Sequence, residues 1–210
     1  ETKGNFWYQK AAEIFSFFSI YRDTPAVIDF SYALRPFLYY MKNKMQEVAV
    51  SDFSISGNDA FLIHLAEEFL RTASKTLVYD LHEQKQKCDF KGETSEERFI
   101  YYMKKRFGSK PAMLEFYEDY PVLFRLLTER VLFHIDNYKA FIDGIQQSLP
   151  EFKTEFSLSA PYKLSDISVG AGDSHAKGKT VILFDMNGQR FAFKYKDLEI
   201  GERFQHFLSY

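Results

Sequence analysis

Apolar residues recur at steps of three and four along most of this chain, which predicts a succession of helices. The clearest stripe follows Tyr120-Pro121, where Leu123, Leu126, Leu127, Val131, Ile135, Tyr138, Phe141, Ile142, Ile145 and Leu149 share one face. Phe61, Leu62, Leu65, Phe69 and Leu70 predict an earlier long helix, opened by the loop Ser56-Gly57-Asn58. Leu77, Val78 and Leu81 continue its face beyond a weak point near Ser74. Phe6 to Phe18 has the same spacing, and Asp23-Thr24-Pro25 reads as a turn. Pro36 is expected to interrupt or kink the helical run that follows, because proline offers no N–H to the helix. Thr94 and Glu97 fit a capping box. Gly108 would close that helix and Pro111 would open the next.

The period changes after Leu149-Pro150. Leu164 to Val169 predicts a short strand ended by Gly170-Ala171-Gly172, and Thr180 to Phe184 predicts a second. Asn187-Gly188 is a hairpin turn, since both residues tolerate the positive φ it requires. Gln189 to Tyr195 then alternates, with Phe191, Phe193 and Tyr195 on one face and Arg190, Ala192 and Lys194 on the other. The fold class is therefore α+β. A helical unit covers 1–159, and a three-stranded antiparallel meander from roughly Pro161 to Asp197 lies within 160–210. Helices are expected to cover the aromatic face of that meander.

Composition narrows the class. Of 210 residues 46% are apolar and 27% charged, so the chain is globular rather than disordered. A net charge of −2 provides no general attraction for nucleic acid or anionic membrane. One cysteine, Cys88, excludes an internal disulfide and a cysteine-rich zinc site, which points to a reducing cytosol. No run of about 18 apolar residues is present to span a membrane. The opening Glu1-Thr2-Lys3-Gly4 reads as the start of an excised piece.

The first two predicted strands are joined by Gly170-Ala171-Gly172-Asp173-Ser174-His175-Ala176-Lys177-Gly178-Lys179. Glycines let a backbone bend close to a ligand and turn its amides toward phosphate oxygens. Lys194 on the third strand, beside small Ala192, adds a fixed positive charge. A glycine-containing hairpin followed by a lysine strand is how kinase-like amino-terminal lobes hold nucleotide phosphates. A solvated turn with a surface lysine is the alternative that spacing leaves open.

Gly172-Asp173-Ser174-His175-Ala176-Lys177-Gly178-Lys179-Thr180-Val181 and Phe193-Lys194-Tyr195-Lys196-Asp197-Leu198 resemble the class II lanthipeptide synthetases. Lys75 to Leu81, Thr94 to Phe99 and Tyr120 to Leu127 fall in the family's order upstream. The resemblance implies the amino-terminal part of a dehydratase domain with a lipid-kinase-like fold and extra helices. It implies ATP-dependent phosphorylation of serine and threonine in a precursor peptide, followed by phosphate elimination to dehydroalanine or dehydrobutyrine. Asp173, His175 and Lys194 match active-site positions. Gly172, Ser174, Gly178, Lys194 and Lys196 match the nucleotide-binding segments. Magnesium ligands would lie outside these residues, and zinc would belong only to a separate cyclase domain. Partners would be the leader and core of the precursor, the remaining lobe and the cyclase. Ala176 stands where the family has asparagine, and Tyr195 and Lys196 where it has proline and arginine, so a bidentate guanidinium contact becomes an ammonium contact.

Two rival functions are another kinase-like phosphotransferase and a non-catalytic helical module that binds a peptide. With second-lobe residues expected beyond Tyr210, the chain alone is expected to be inactive. Glu202 is a candidate carboxylate partner for Lys194. His64, His82, His134 and His206 are each expected to be surface or packed histidines without a ligand partner. Lys85, Lys87 and Lys91 flank Cys88. The runs Lys42–Lys44 and Lys104–Arg106 read as solvated helix faces.

Overall fold

A computed structural model describes residues 3–16, 28–195 and 207–208. Its elements are α1 (Lys3–Ser16), α2 (Ser31–Gln46), β1 (Phe53–Ile55), α3 (Asp59–Lys87), α4 (Ser95–Phe107), α5 (Lys110–Asp119), α6 (Pro121–Gln147), α7 (Leu149–Thr154), β2 (Tyr162–His175), β3 (Lys179–Met186) and β4 (Gln189–Phe193). The fold is α+β, as the change of period requires. The chain forms two compact units, Glu1–Glu47 with Leu62–Ile135, and Val48–Phe61 with Asp136–Tyr210. Their division crosses α6.

The first unit is helical. Phe37 is fully buried and packs edge-on against Phe69 and Tyr117. Of the interruption or kink expected at Pro36, the interruption does not occur, for α2 continues through it. Pro36 cannot donate to the Tyr32 carbonyl one turn back, and Arg35 Nε does so instead at 2.9 Å. Asp80 of α3, only 1% exposed, accepts from Arg106 of α4 at 3.1 and 3.2 Å, from Tyr102 Oη at 2.8 Å and from Tyr120 Oη at 3.2 Å. Burial beside Asp80 pushes the Tyr120 hydroxyl up to about 12.

The start of α4 is built as its sequence requires. Glu97 N–H donates to Thr94 Oγ1 at 3.1 Å, and Glu97 Oε2 accepts the Thr94 N–H at 3.2 Å. Hydrogen bonds from the backbone amides of Thr94 and Glu93 hold the Glu97 carboxyl below the ordinary carboxylate range. A folded pKa below the unfolded one stabilises above the unfolded value, about 4.3. The contribution is lost as pH falls through the folded value. An NMR titration should therefore give Glu97 a midpoint below that of a free glutamate, and an unshifted midpoint would contradict the cap. Thr94→Ala should cost about 1 kcal/mol in chemical denaturation.

The second unit carries the sheet. Its order among the described residues is β1-β2-β3-β4, with β1 parallel to β2 and the other pairs antiparallel. The meander expected from sequence is present, but the sheet has four strands rather than three. The added strand is β1, in which Phe53 to Ile55 pair with Tyr162 to Leu164. Asn187 and Gly188 have φ of 51° and 89°, the left-handed pair that a tight hairpin needs. The aromatic face is covered by helices within the unit. Phe141 of α6 meets Phe184 and Phe193, while Phe152 of α7 meets Phe191 at 4.9 Å. Gly144 leaves room for the Phe193 ring, which a Cβ there would approach to 2.5 Å.

Candidate functional site

The hairpin between β2 and β3 is tighter than the sequence suggested. Gly170-Ala171-Gly172 does not end the strand, because β2 continues to His175. Register shifts fall between Val169 and Ala171 and between Ala171 and His175. Gly170 and Gly172, at φ of 92° and 77°, supply the conformations these irregularities use. The Gly170 amide that leaves the ladder donates to Thr180 Oγ1 at 3.1 Å. One 3-10 turn, Ala176–Gly178, then reverses the chain, with Lys177 and Gly178 at φ of 62° and 70°. A Cβ built on Gly172 or Gly178 meets nothing within 4 Å, so the space above both is open.

Asp173 and His175 are exposed near the end of β2, and Lys194 is exposed immediately after β4. Ile182 of β3 stands opposite both Val169 and Phe193. Lys194, one residue past Phe193, is therefore at the hairpin end of the sheet, with β3 lying between β4 and β2. Among the described residues no hydrogen bond or ion pair joins Asp173, His175 and Lys194 to one another. The side chain of Ser174 lies outside the described residues, as do Lys196, Glu202, His206 and the Asp23-Thr24-Pro25 turn.

One helical residue holds both parts of this end. Asn137 of α6, 7% exposed, donates from Nδ2 to the Lys177 carbonyl at 3.0 Å. Its own carbonyl accepts from Tyr195 Oη at 2.9 Å. Tyr195 also meets Phe193 edge-on at 4.9 Å, and Lys179 Nζ lies 5.5 Å from the Tyr195 ring centre. Burial pushes the Tyr195 hydroxyl well above the ordinary phenol range. Thus the residue after Lys194 and the turn at Lys177 share an anchor, and the tyrosine at 195 has a packing role that proline could not fill. Sequence reasoning missed Asn137, which sits inside an apolar helical stripe and gives no signal there. Asn137→Ala should cost about 0.5–1.5 kcal/mol, the net worth of the hydrogen bond its side chain gives to the Lys177 carbonyl. Thermal unfolding of the variant checks this.

Two other groupings lie in the first unit. A cleft of about 330 Å³ is lined by Leu81, His82, Lys85, Cys88, Phe90 and Arg98, and contains none of the hairpin residues. Cys88 Sγ is 3.3 Å from Lys105 Nζ, a neighbour distant from the flanking lysines in sequence. His64 and His134, read singly in the sequence, meet at Glu68. The four-residue step from His64 to Glu68 was the visible signal, because it places both on one helix face.

The hairpin, the lysine strand and their anchor define an α+β chain with an exposed, glycine-permitted turn and a lysine at one end of its sheet. Residues 120–210 match the family model described as a domain of unknown function, DUF4135, a span holding Asn137, the hairpin and Lys194. The chain is also similar to the lacticin 481/lactococcin biosynthesis protein LcnDR2 of Lactococcus lactis subsp. lactis. They share 26% identity over 178 residues, 81% of this chain and 18% of that protein. The chain thus spans less than one fifth of the relative's length. Among the described residues no helix is long and apolar enough to cross a membrane.

Proposed function

We propose that this chain is the amino-terminal part of a lanthipeptide dehydratase, in which the β2–β3 hairpin and Lys194 hold the phosphates of ATP. The observation carrying this reading is the shared anchor at Asn137, which ties the Lys177 turn to Tyr195 and so fixes both sides of one sheet end. Open space above Gly172 and Gly178 suits an approaching anion. Backbone donors and a lysine stabilise charge on a transferring phosphoryl group. Asp173 and His175 would border the same phosphates.

The reaction transfers the γ-phosphoryl group from ATP to a serine or threonine hydroxyl of the precursor peptide, leaving ADP and releasing the hydroxyl proton. Removal of the α-proton with cleavage of the Cβ–O bond then expels phosphate and leaves the alkene. Magnesium bound to the nucleotide would offset the phosphate charge. The magnesium ligands are assigned to the second lobe, outside these residues, so the 210 residues alone should not turn over.

Incubating the polypeptide that carries this chain and its second lobe with ATP, magnesium and precursor peptide tests the proposal by mass spectrometry. The expected product has lost one water per modified residue. Peptide that binds but is never modified would instead favour the helical binding module. Dehydrated product from the isolated 210 residues would overturn the assignment of metal ligands to another lobe.

A further inference from the structure

Three side chains that the nucleotide reading does not use converge in the first unit. His64 and Glu68 are one turn apart on α3, and His134 comes from α6. One ligand atom from each lies within 4.8 Å of the other two. Glu68 and His134 are 8% and 4% exposed, and Glu68 Oε2 lies 2.7 Å from His134 Nε2. The two imidazoles have centres 5.5 Å apart and are inclined at 52°. His64 Nε2 is buried and has no hydrogen-bond partner among the described residues. A buried ring nitrogen without a partner is unfavourable, and this one sits beside two further donor atoms.

We propose that His64, Glu68 and His134 bind a divalent transition metal of the zinc class. Two imidazole nitrogens and one carboxylate oxygen suit zinc, whereas magnesium and calcium take oxygen ligands. Bonds of about 2.0–2.1 Å place the ligand atoms of a tetrahedral ion about 3.4 Å apart. The His134–Glu68 pair opens slightly and His64 closes inward, movements of about 1 Å that side-chain torsions supply. Arg130 Nη1, 3.5 Å from Glu68 Oε2, is on a side chain 41% exposed and can turn outward as the ion takes over that oxygen. Three protein ligands leave a fourth position for water. The metal links α3 to α6 within the unit, independently of the hairpin.

Chelator-treated chain is titrated with zinc against a chromophoric competitor. One equivalent should bind, with affinity falling at least tenfold in His64→Ala and in His134→Ala and unchanged in His82→Ala. Cobalt(II) added to the unaltered chain should give the intense visible absorption of a four-coordinate ion, a readout that needs no variant to fold. The proposal is overturned if the unaltered chain binds no zinc saturably, or if cobalt gives only the weak spectrum of a six-coordinate ion. Undiminished affinity in both histidine variants would also overturn it.

Discussion

Asp80→Ala should lower the unfolding free energy by about 3–5 kcal/mol, the largest stability loss expected of any single substitution here. Asp80 and Arg106 are both buried, at 1% and 7% exposure, and they meet through two hydrogen bonds. Removing the carboxylate leaves the guanidinium in the interior and takes the acceptor from Tyr102 and from Tyr120. Asp119 still pairs with Arg106 at 2.5 Å, which favours the lower part of that range. Asp119→Ala should cost much less, because its side chain is 53% exposed. Urea denaturation should show a lower midpoint with an unchanged slope for Asp80→Ala. A loss under 1 kcal/mol would mean that water or Asp119 replaces Asp80 fully. Two segments marked by their family resemblance, Lys75 to Leu81 and Tyr120 to Leu127, thus converge on a structural network.

On the proposed dehydratase function, Lys194→Ala should reduce phosphorylation of the precursor peptide by about a hundredfold or more while leaving stability within about 0.5 kcal/mol. Lys194 is exposed and forms no hydrogen bond or ion pair among the described residues, so its removal breaks no internal interaction. Loss of a fixed charge at a developing phosphoryl transition state falls on kcat/KM. Lys194→Arg should restore only part of the activity, since a planar guanidinium does not reproduce a compact ammonium. Initial rates of phosphopeptide formation, read beside thermal unfolding of each variant, separate a chemical role from a structural one. Equal rates for Lys194→Ala and the unaltered enzyme would remove Lys194 from the site.

What was legible in the sequence was local. Thr94 with Glu97, and Asn187 with Gly188, act through neighbours a few residues away, and the structure forms both as the residues suggest. The stripe from Leu123 to Ile145, apart from half-buried Leu126, is buried along α6 because helical spacing alone sets its face. What escaped was set by distant partners. Three residues of β1 carry too short an alternation to announce a strand, and their partners lie more than a hundred positions away. Pro36 looked like a break because the donor replacing its missing N–H, Arg35 Nε, belongs to a side chain. Gly170 and Gly172 looked like a strand end because a bulge and a turn use the same glycine conformations. At the candidate site Asp173, His175 and Lys194 are proposed from motif order, whereas Asn137 and the meeting of His64 with His134 depend on tertiary packing.

The central claim is that the hairpin and Lys194 act together on nucleotide phosphates. Hydrogen–deuterium exchange of the polypeptide that carries this chain, with and without a non-hydrolysable ATP analogue, tests it most directly. Slowed exchange should appear at residues 170–179 and 193–195 and disappear in Lys194→Ala. Nucleotide binding that protects other segments and leaves both of these unchanged would contradict it.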